Sequence, residues 1–514
     1  MGNELSISAW LEEQARINGV GPALLSIDGQ SALDFATLNK RVAELAALLA
    51  ESGFGPGTVT AVALPDSAET LILLLALMQV SAVLPVQHTI SDEPFVSLLE
   101  RSGANAVIGT VRPASTPWRV AEERGLPYGA VDLRPRVFGQ VSLTVQRQRP
   151  VMPREKLSTD DPALYIATSG TTGDSKIVAI TQRSLDLNIA THGRLNKYGP
   201  GTRSLCVMPF TYLFAYVRSS LPMLRMGGSV GVAPGYRFKD VRRWCENVRP
   251  TCFASTPSIL KRFIADAKAA DWRPGNGVLK RIHSTGEAIP ASLGRDVFDA
   301  FGADLATNYG MTETSPQVAV SLPEDELPAG AAGRVVSPWR VSILDDNGGS
   351  LPAGQVGRVA LSGGLFNAIV GTKEETRLDA MGRLPTGDRG FLDDHGVLHL
   401  AGRVDDVINR GGEKIDPRII ELALETDADV ERAVVFGLPD KNYGHKVWAI
   451  VKLRDGTVRS SDAIKSATAD LISGWGLPER LISVSDIPVN KNGKVSRSDL
   501  AARYSDSDPV QNVQ

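Results

Sequence analysis

Leu38, Val42, Leu45 and Leu49 recur at the spacing of one helix face, and Gly53 supplies a stop. A short apolar run, Val59–Leu64, then reads as a strand. Thr70–Val86 follows, with Leu71, Ile72, Leu73, Leu74 and Leu75 in succession. It is shorter than the roughly 20 residues of a membrane span, and Gln79, Ser81 and Pro85 interrupt it, so it reads as a buried helix leading into a strand. The alternation continues through strands Ala106–Ile108 and Ala163–Ala167, a helix from about Ser184 and strand Ser204–Met208. An apolar helix, Val217–Met226, and strand Ser229–Val232 come next. Strands alternating with helices predict an α/β fold with doubly wound sheets, helices lying on both faces.

Beyond about Thr314 the texture changes. Gly333–Val336, Arg340–Leu344, Val356–Leu361 and Val397–Leu400 are short β runs separated by Asn-Gly, Pro-Ala-Gly and His-Gly turns, the pattern of a small antiparallel barrel or sandwich. After Arg403 the pattern is mixed again: helix Pro417–Leu424, strands Glu431–Gly437 and Val447–Leu453, and a helix around Ser461–Ile472. The expected organisation is a large N-terminal domain, 1–404, with the barrel-like part at about 315–400. A small α+β C-terminal domain, 405–505, and a disordered polar tail, 506–514, complete it.

A chain of 514 residues accommodates two or more domains and a large core. Its net charge of −3 points to neither a nucleic-acid nor a membrane partner, while leaving room for local positive charge. Cys206, Cys245 and Cys252 are too few and too irregular for a disulfide framework or a zinc site, so they read as buried hydrophobes in a reducing cytoplasm. The six histidines lack metal-ligand spacing.

The chemistry is concentrated in Tyr165–Val178. A short apolar strand runs into Thr168, Ser169, Thr171 and Thr172, whose hydroxyls are donors, with Gly170 and Gly173 allowing backbone N–H groups close to an anion. Lys176 adds a point charge. This composition suits a polyphosphate. It is not the usual P-loop, because Asp174 and Ser175 separate the lysine from the preceding glycine.

The loop resembles the signature of the adenylate-forming enzymes, which include acyl-CoA synthetases, peptide-synthetase adenylation domains and beetle luciferases. Further segments resemble that family in its order: Asn308-Tyr-Gly-Met-Thr-Glu313, Thr386-Gly-Asp388, Gly402–Lys414 and Asn490-Lys-Asn-Gly-Lys494. The resemblance implies ATP-dependent activation of a small carboxylic acid as acyl-AMP, with Mg2+. Transfer to coenzyme A or to the phosphopantetheine of a separate carrier protein follows; Asn409–Lys414 looks most like the CoA-forming members.

By the same resemblance, Thr168–Lys176 holds the departing pyrophosphate, Thr312 meets the α-phosphate and Glu313 binds the metal. Asn308, Tyr309, Gly310, Gly286 and Glu287 line the adenine and acyl pockets. Asp388 takes the ribose hydroxyls, with Arg403 beside it. Lys494 bridges the carboxylate and the α-phosphate. Asp405 matches the hinge between two domain arrangements, and Gly411 and Gly412 pass to the site in the second.

Met208–Tyr216 departs from the family. Many members carry a histidine followed three residues later by glycine, where this chain has Tyr212 and Ala215. Tyrosine fills the same space and donates a hydrogen bond, but it does not become cationic at neutral pH. Arg218 follows in an apolar helix and, if buried, needs a partner: either Glu287 or an acidic or polar group of the substrate.

Overall fold

Helix Phe35–Glu51 begins where the Asp34 carboxylate accepts the Thr37 N–H at 2.7 Å. Its Leu38, Val42, Leu45 and Leu49 are all buried, as the periodicity requires. Helix Ala68–Leu77 is buried on every side and leads into strand Ala82–Pro85, which explains why its leucine run shows no polar face. No helix among the described residues is long and apolar enough to cross a membrane. The computed structural model describes residues 6–112, 115–132, 137–146, 157–168, 176–275, 278–286, 289, 292–315, 317–328, 331–370, 378–404, 406–454, 456–472, 476–488 and 495–505.

The chain divides into two compact units, Met1–Pro338 with Gly363–Arg377, and Trp339–Ser362 with Leu378–Gln514. The first unit holds an eight-stranded sheet in the order Ala368–Val370, Ile177–Thr181, Pro162–Ala167, Ala82–Pro85, Val59–Ala63, Ala106–Thr110, Tyr128–Asp132 and Ser142–Gln146. Its second sheet is parallel from Pro22–Leu25 through Ser229–Val232, Arg203–Cys206, Cys252–Ser255 and Arg281–Ser284 to Asp304–Tyr309. Ala319–Ser321 and Ala331–Val335 continue it antiparallel. Apolar side chains such as Trp10, Phe35, Phe253 and Phe263 fill the cores beside these sheets.

In the second unit, Arg340–Leu344, Gly357–Ser362, Leu384–Leu392 and Val397–Arg403 form successive antiparallel neighbours. Helix Pro417–Leu424 has the expected bounds and is capped by the Asp416 side chain. It packs Ile420 and Leu424 onto a three-stranded sheet of Val430–Asp440, Gly444–Leu453 and Arg480–Val484.

Three expectations need correction. The alternation omits a strand, Ile177–Thr181, which lies between the phosphate loop and the helix expected from about Ser184, observed as Gln182–Leu195. The run Val217–Met226 is not one α-helix. It is a π-helical turn, Ala215–Ser220, followed by a short helix, Leu221–Arg225. The helix around Ser461–Ile472 ends at Thr468 and finishes as a 3-10 turn, Ala469–Leu471.

Candidate active site

Parallel strands Arg203–Cys206, Cys252–Ser255, Arg281–Ser284 and Asp304–Tyr309 run in one direction, so their carboxyl ends share an edge. Met208–Tyr216, Thr285-Gly286 and Gly310–Glu313 all leave from that edge. In open α/β sheets this is where ligands bind. The Thr285 hydroxyl donates to the Asn308 carbonyl at 2.6 Å, joining two of these segments. Gly286 has φ +91°, and a Cβ there would meet open space, so it is the backbone shape that requires glycine. Tyr309 is half-buried at its strand's last position. Glu287 lies outside the described residues.

Strands Pro162–Ala167 and Ile177–Thr181 pair antiparallel, with Ala167 opposite Ile177. Both the N–H and the hydroxyl of Thr168 donate to the Lys176 carbonyl, at 2.7 and 3.2 Å. Thr168 and Lys176 are thus the two feet of a hairpin. Ser169, Gly170, Thr171, Thr172 and Gly173, which connect them, lie outside the described residues.

Thr312 and Glu313 occupy a 3-10 turn, Thr312–Thr314, and both are half-buried. The Thr314 N–H donates to the Met311 carbonyl at 3.0 Å, and Thr314 Oγ1 accepts from Met311 N at 3.2 Å. The turn ends at Ser315, a non-glycine residue held at φ +46°. Among the described residues no group of three or more His, Cys, Asp or Glu side chains is arranged to hold a metal. Glu313 supplies one carboxylate on this turn, and magnesium is a cation that takes few protein ligands and keeps phosphate oxygens and water.

In Met208–Tyr216, the Phe210 N–H donates to the Asp66 carboxylate at 3.0 Å. Desolvation outweighs that bond and pushes the Asp66 carboxyl up to about 6. Tyr212 is 36% exposed, while Ala215 is buried at the start of the π-helical turn. Burial moves the Tyr212 phenol above its ordinary range, so it remains a neutral donor at physiological pH.

Arg218 is fully buried. Its Nε donates to Asn308 Oδ1 at 3.2 Å, and one terminal nitrogen donates to Asn188 Oδ1 at 2.9 Å and the Val217 carbonyl at 2.7 Å. Desolvation brings its pKa down to about 9, leaving it charged at neutral pH. Two amide side chains are thus among its partners, and Glu287, the partner considered from the sequence, lies outside the described residues. Sequence reasoning missed both Asn188 as a partner and the orientation of Asn308.

In the second unit Asp388 and Arg403 face one another across adjacent strands, with Arg403 Nε 3.8 Å from Asp388 Oδ1. Thr386 Oγ1 accepts the Asp388 N–H at 3.1 Å. Gly411 and Gly412 form the turn between strands Ile408–Arg410 and Glu413–Ile415, with φ +61° and +93°. The Gly411 N–H donates to the Tyr443 carbonyl at 2.7 Å. Asp405 and Lys494 lie outside the described residues.

The family of AMP-binding enzymes matches residues 11–367, and its C-terminal domain matches residues 420–494. The chain belongs to the AMP-binding enzyme family. It is similar to a sulfoacetate–CoA ligase of Cupriavidus necator, 30% identical over 93% of this chain and 94% of that protein. An oxalate–CoA ligase of Arabidopsis thaliana is 26% identical over 93% and 95%, respectively. Among solved structures, ATP-bound MatB from Rhodopseudomonas palustris superposes with a TM-score of 0.83 at 21% identity, covering 98% of this chain and 99% of that one. At that identity the superposition speaks to the fold, and the α/β class expected from the sequence is the one found.

Proposed function

We propose that this protein is an ATP-dependent acid–thiol ligase that joins a small carboxylic acid to coenzyme A through an acyl-AMP. The observation that carries the reading is the shared carboxyl edge of Thr285-Gly286, Tyr309 and Thr312–Glu313 within an AMP-binding enzyme. Relatives named as CoA ligases support coenzyme A as the acceptor. Loading of a carrier protein's phosphopantetheine is the competing reading.

A carboxylate is a poor acyl donor, because its charge repels nucleophiles and oxide is a poor leaving group. In the first step a carboxylate oxygen attacks the α-phosphorus, the α–β bridging P–O bond breaks, and pyrophosphate departs. Charge builds on phosphate oxygens, so fixed positive potential is required. Lys176 and the hydroxyls around Thr168 take the leaving phosphates, Thr312 the α-phosphate, and Lys494 the oxygens between acid and phosphorus. Magnesium, held by Glu313, would neutralise phosphate charge. Tyr309 covers adenine, Gly286 and Glu287 border the pocket, and Asp388 with Arg403 holds the ribose. In the second step the thiolate attacks the acyl carbon and AMP leaves. That step needs the lysine withdrawn and a thiol admitted, for which Asp405 is the hinge and Gly411-Gly412 the approach.

The test is pyrophosphate release with ATP, magnesium and a panel of aryl, fatty, dicarboxylic and amino acids, followed by CoA or a holo-carrier. Acid-dependent release of pyrophosphate with AMP and acyl-CoA as products is expected. ADP as product, or no acid that stimulates release, overturns the reading. Transfer to the carrier alone selects the competing acceptor.

A further inference from the structure

The Thr312–Ser315 turn is gripped by two arms, one that continues from the phosphate hairpin and one that pairs with it. Strand Ile177–Thr181 leaves Lys176 and continues into helix Gln182–Leu195, which carries Ser184 and Asn188. The Ser184 and Ser315 hydroxyls lie 2.7 Å apart, and Asn188 Nδ2 donates to the Ser315 carbonyl. The same strand pairs on its other side with Ala368–Val370, with Val370 opposite Ile177. Asn367 immediately precedes that neighbour. Its N–H donates to the Glu313 carbonyl at 2.7 Å, and its Nδ2 donates to the Thr312 carbonyl at 3.1 Å and Ser315 Oγ at 2.8 Å. Ser184, Asn188, Ser315 and Asn367 are all buried, where unmade hydrogen bonds are costly. Arg218 completes the arrangement by orienting the Asn188 amide: its guanidinium takes Oδ1, which forces Nδ2 toward the turn.

We propose that Asn188 and Asn367 are positioning residues that hold the Thr312–Glu313 turn in register with the phosphate hairpin, so that the nucleotide's triphosphate meets both halves of its site already placed. Both amides are buried behind the turn's backbone. Both act through main-chain carbonyls of the turn, which is why no spacing in the sequence marks them. The inference rests on the ATP-dependent reading above, and it concerns the triphosphate and its metal rather than adenine.

Asn188→Asp separates this role from a purely structural one. The carboxylate keeps the acceptor for Arg218 and removes the donor to Ser315. The measurements are binding of MgATP and of adenosine to the full-length protein by calorimetry, with thermal midpoints alongside. Expected for Asn188→Asp is a thermal midpoint lowered by a few degrees with the fold retained, MgATP binding weakened about tenfold, the loss of one well-placed hydrogen bond, and adenosine binding unchanged. Ser184→Ala, a smaller change at the same arm, is expected to weaken MgATP several-fold in the same selective way. Equal MgATP affinity in wild type and both variants overturns the proposal, as does a parallel loss for MgATP and adenosine. A wild-type protein that fails to bind MgATP overturns this proposal and the ATP-dependent reading together, which distinguishes that failure from the variants alone behaving like wild type.

Discussion

The backbone N–H of Phe210 donates to the Asp66 carboxylate at 3.0 Å, tying the loop after strand Val59–Ala63 to the segment that contains Tyr212. Desolvation raises the Asp66 pKa from 3.8 to about 6. The sign of the linkage follows. Well below pH 3.8 the group is protonated in folded and unfolded chains alike and costs nothing. As pH rises, the unfolded chain releases its proton first, so folding is penalised, and the penalty is complete above about pH 6. Asp66→Asn keeps the acceptor oxygen and removes the titration. It should raise the thermal midpoint at pH 8 by about 2–4 °C and give a much smaller gain at pH 4, where the penalty has only begun to build. A gain larger at pH 4 than at pH 8 would count against this account.

Arg218 spreads its donors over Asn188, Asn308 and the Val217 carbonyl from two nitrogens. A lysine presents one compact ammonium and cannot reproduce that fork. Arg218→Lys is therefore expected to lower the thermal midpoint by several degrees, since a buried acceptor left unmade costs about 1–3 kcal/mol. The rank order of acids in a pyrophosphate-release assay should stay unchanged if these bonds define a structural role for the guanidinium. A reordered acid preference would assign its charge to the substrate instead.

Cys206, Cys245 and Cys252 are free and buried, and desolvation pushes each thiol up to about 12. Thiolate, not thiol, reacts with electrophiles. At pH 8 the native protein should not react with iodoacetamide on the minute scale, whereas in guanidinium all three should be labelled, as read by intact mass. Rapid labelling of the folded protein would contradict their burial.

The periodic and local features were legible in the sequence. Leu38 to Leu49 mark a helix because burial repeats along one face, and the turn residues that separate the strands from Arg340 to Leu400 act over a few positions. Ile177-Val-Ala-Ile-Thr181 is β-branched and apolar and carried a strand signal, but the run is only five residues long and borders directly on the helix that follows, so the hairpin it completes is not marked by a turn. The π-helical turn at Ala215–Ser220 looks like any apolar helix in sequence, since the difference lies in which carbonyl each N–H meets. The polar clamp was out of reach for another reason. Asn188 and Ser315 are 127 residues apart, and Asn367 is 52 beyond Ser315, so only tertiary structure pairs them. Isolated asparagines and serines carry no periodic signal that would have singled them out.

Adenylation places a negative carboxylate against a negative phosphate, so a cation must be supplied where they meet. In this chain the residue proposed for it, Lys494, belongs to the C-terminal domain of the family, whose match ends at that position. Lysine suits the task as a compact point charge on a flexible stem, able to follow oxygens that move during in-line attack. Lys494→Ala should cut acid-dependent ATP–pyrophosphate exchange by about 10²–10³-fold, the cost typical of removing one such fixed charge. Transfer from synthetic acyl-AMP to coenzyme A should persist, because that step expels AMP without forming a bond to phosphorus. Asp405→Pro should do something different: by restraining the proposed hinge it is expected to depress one half-reaction far more than the other. Exchange near wild type in Lys494→Ala would remove the lysine from the chemistry, and equal losses in both half-reactions of Asp405→Pro would remove the hinge.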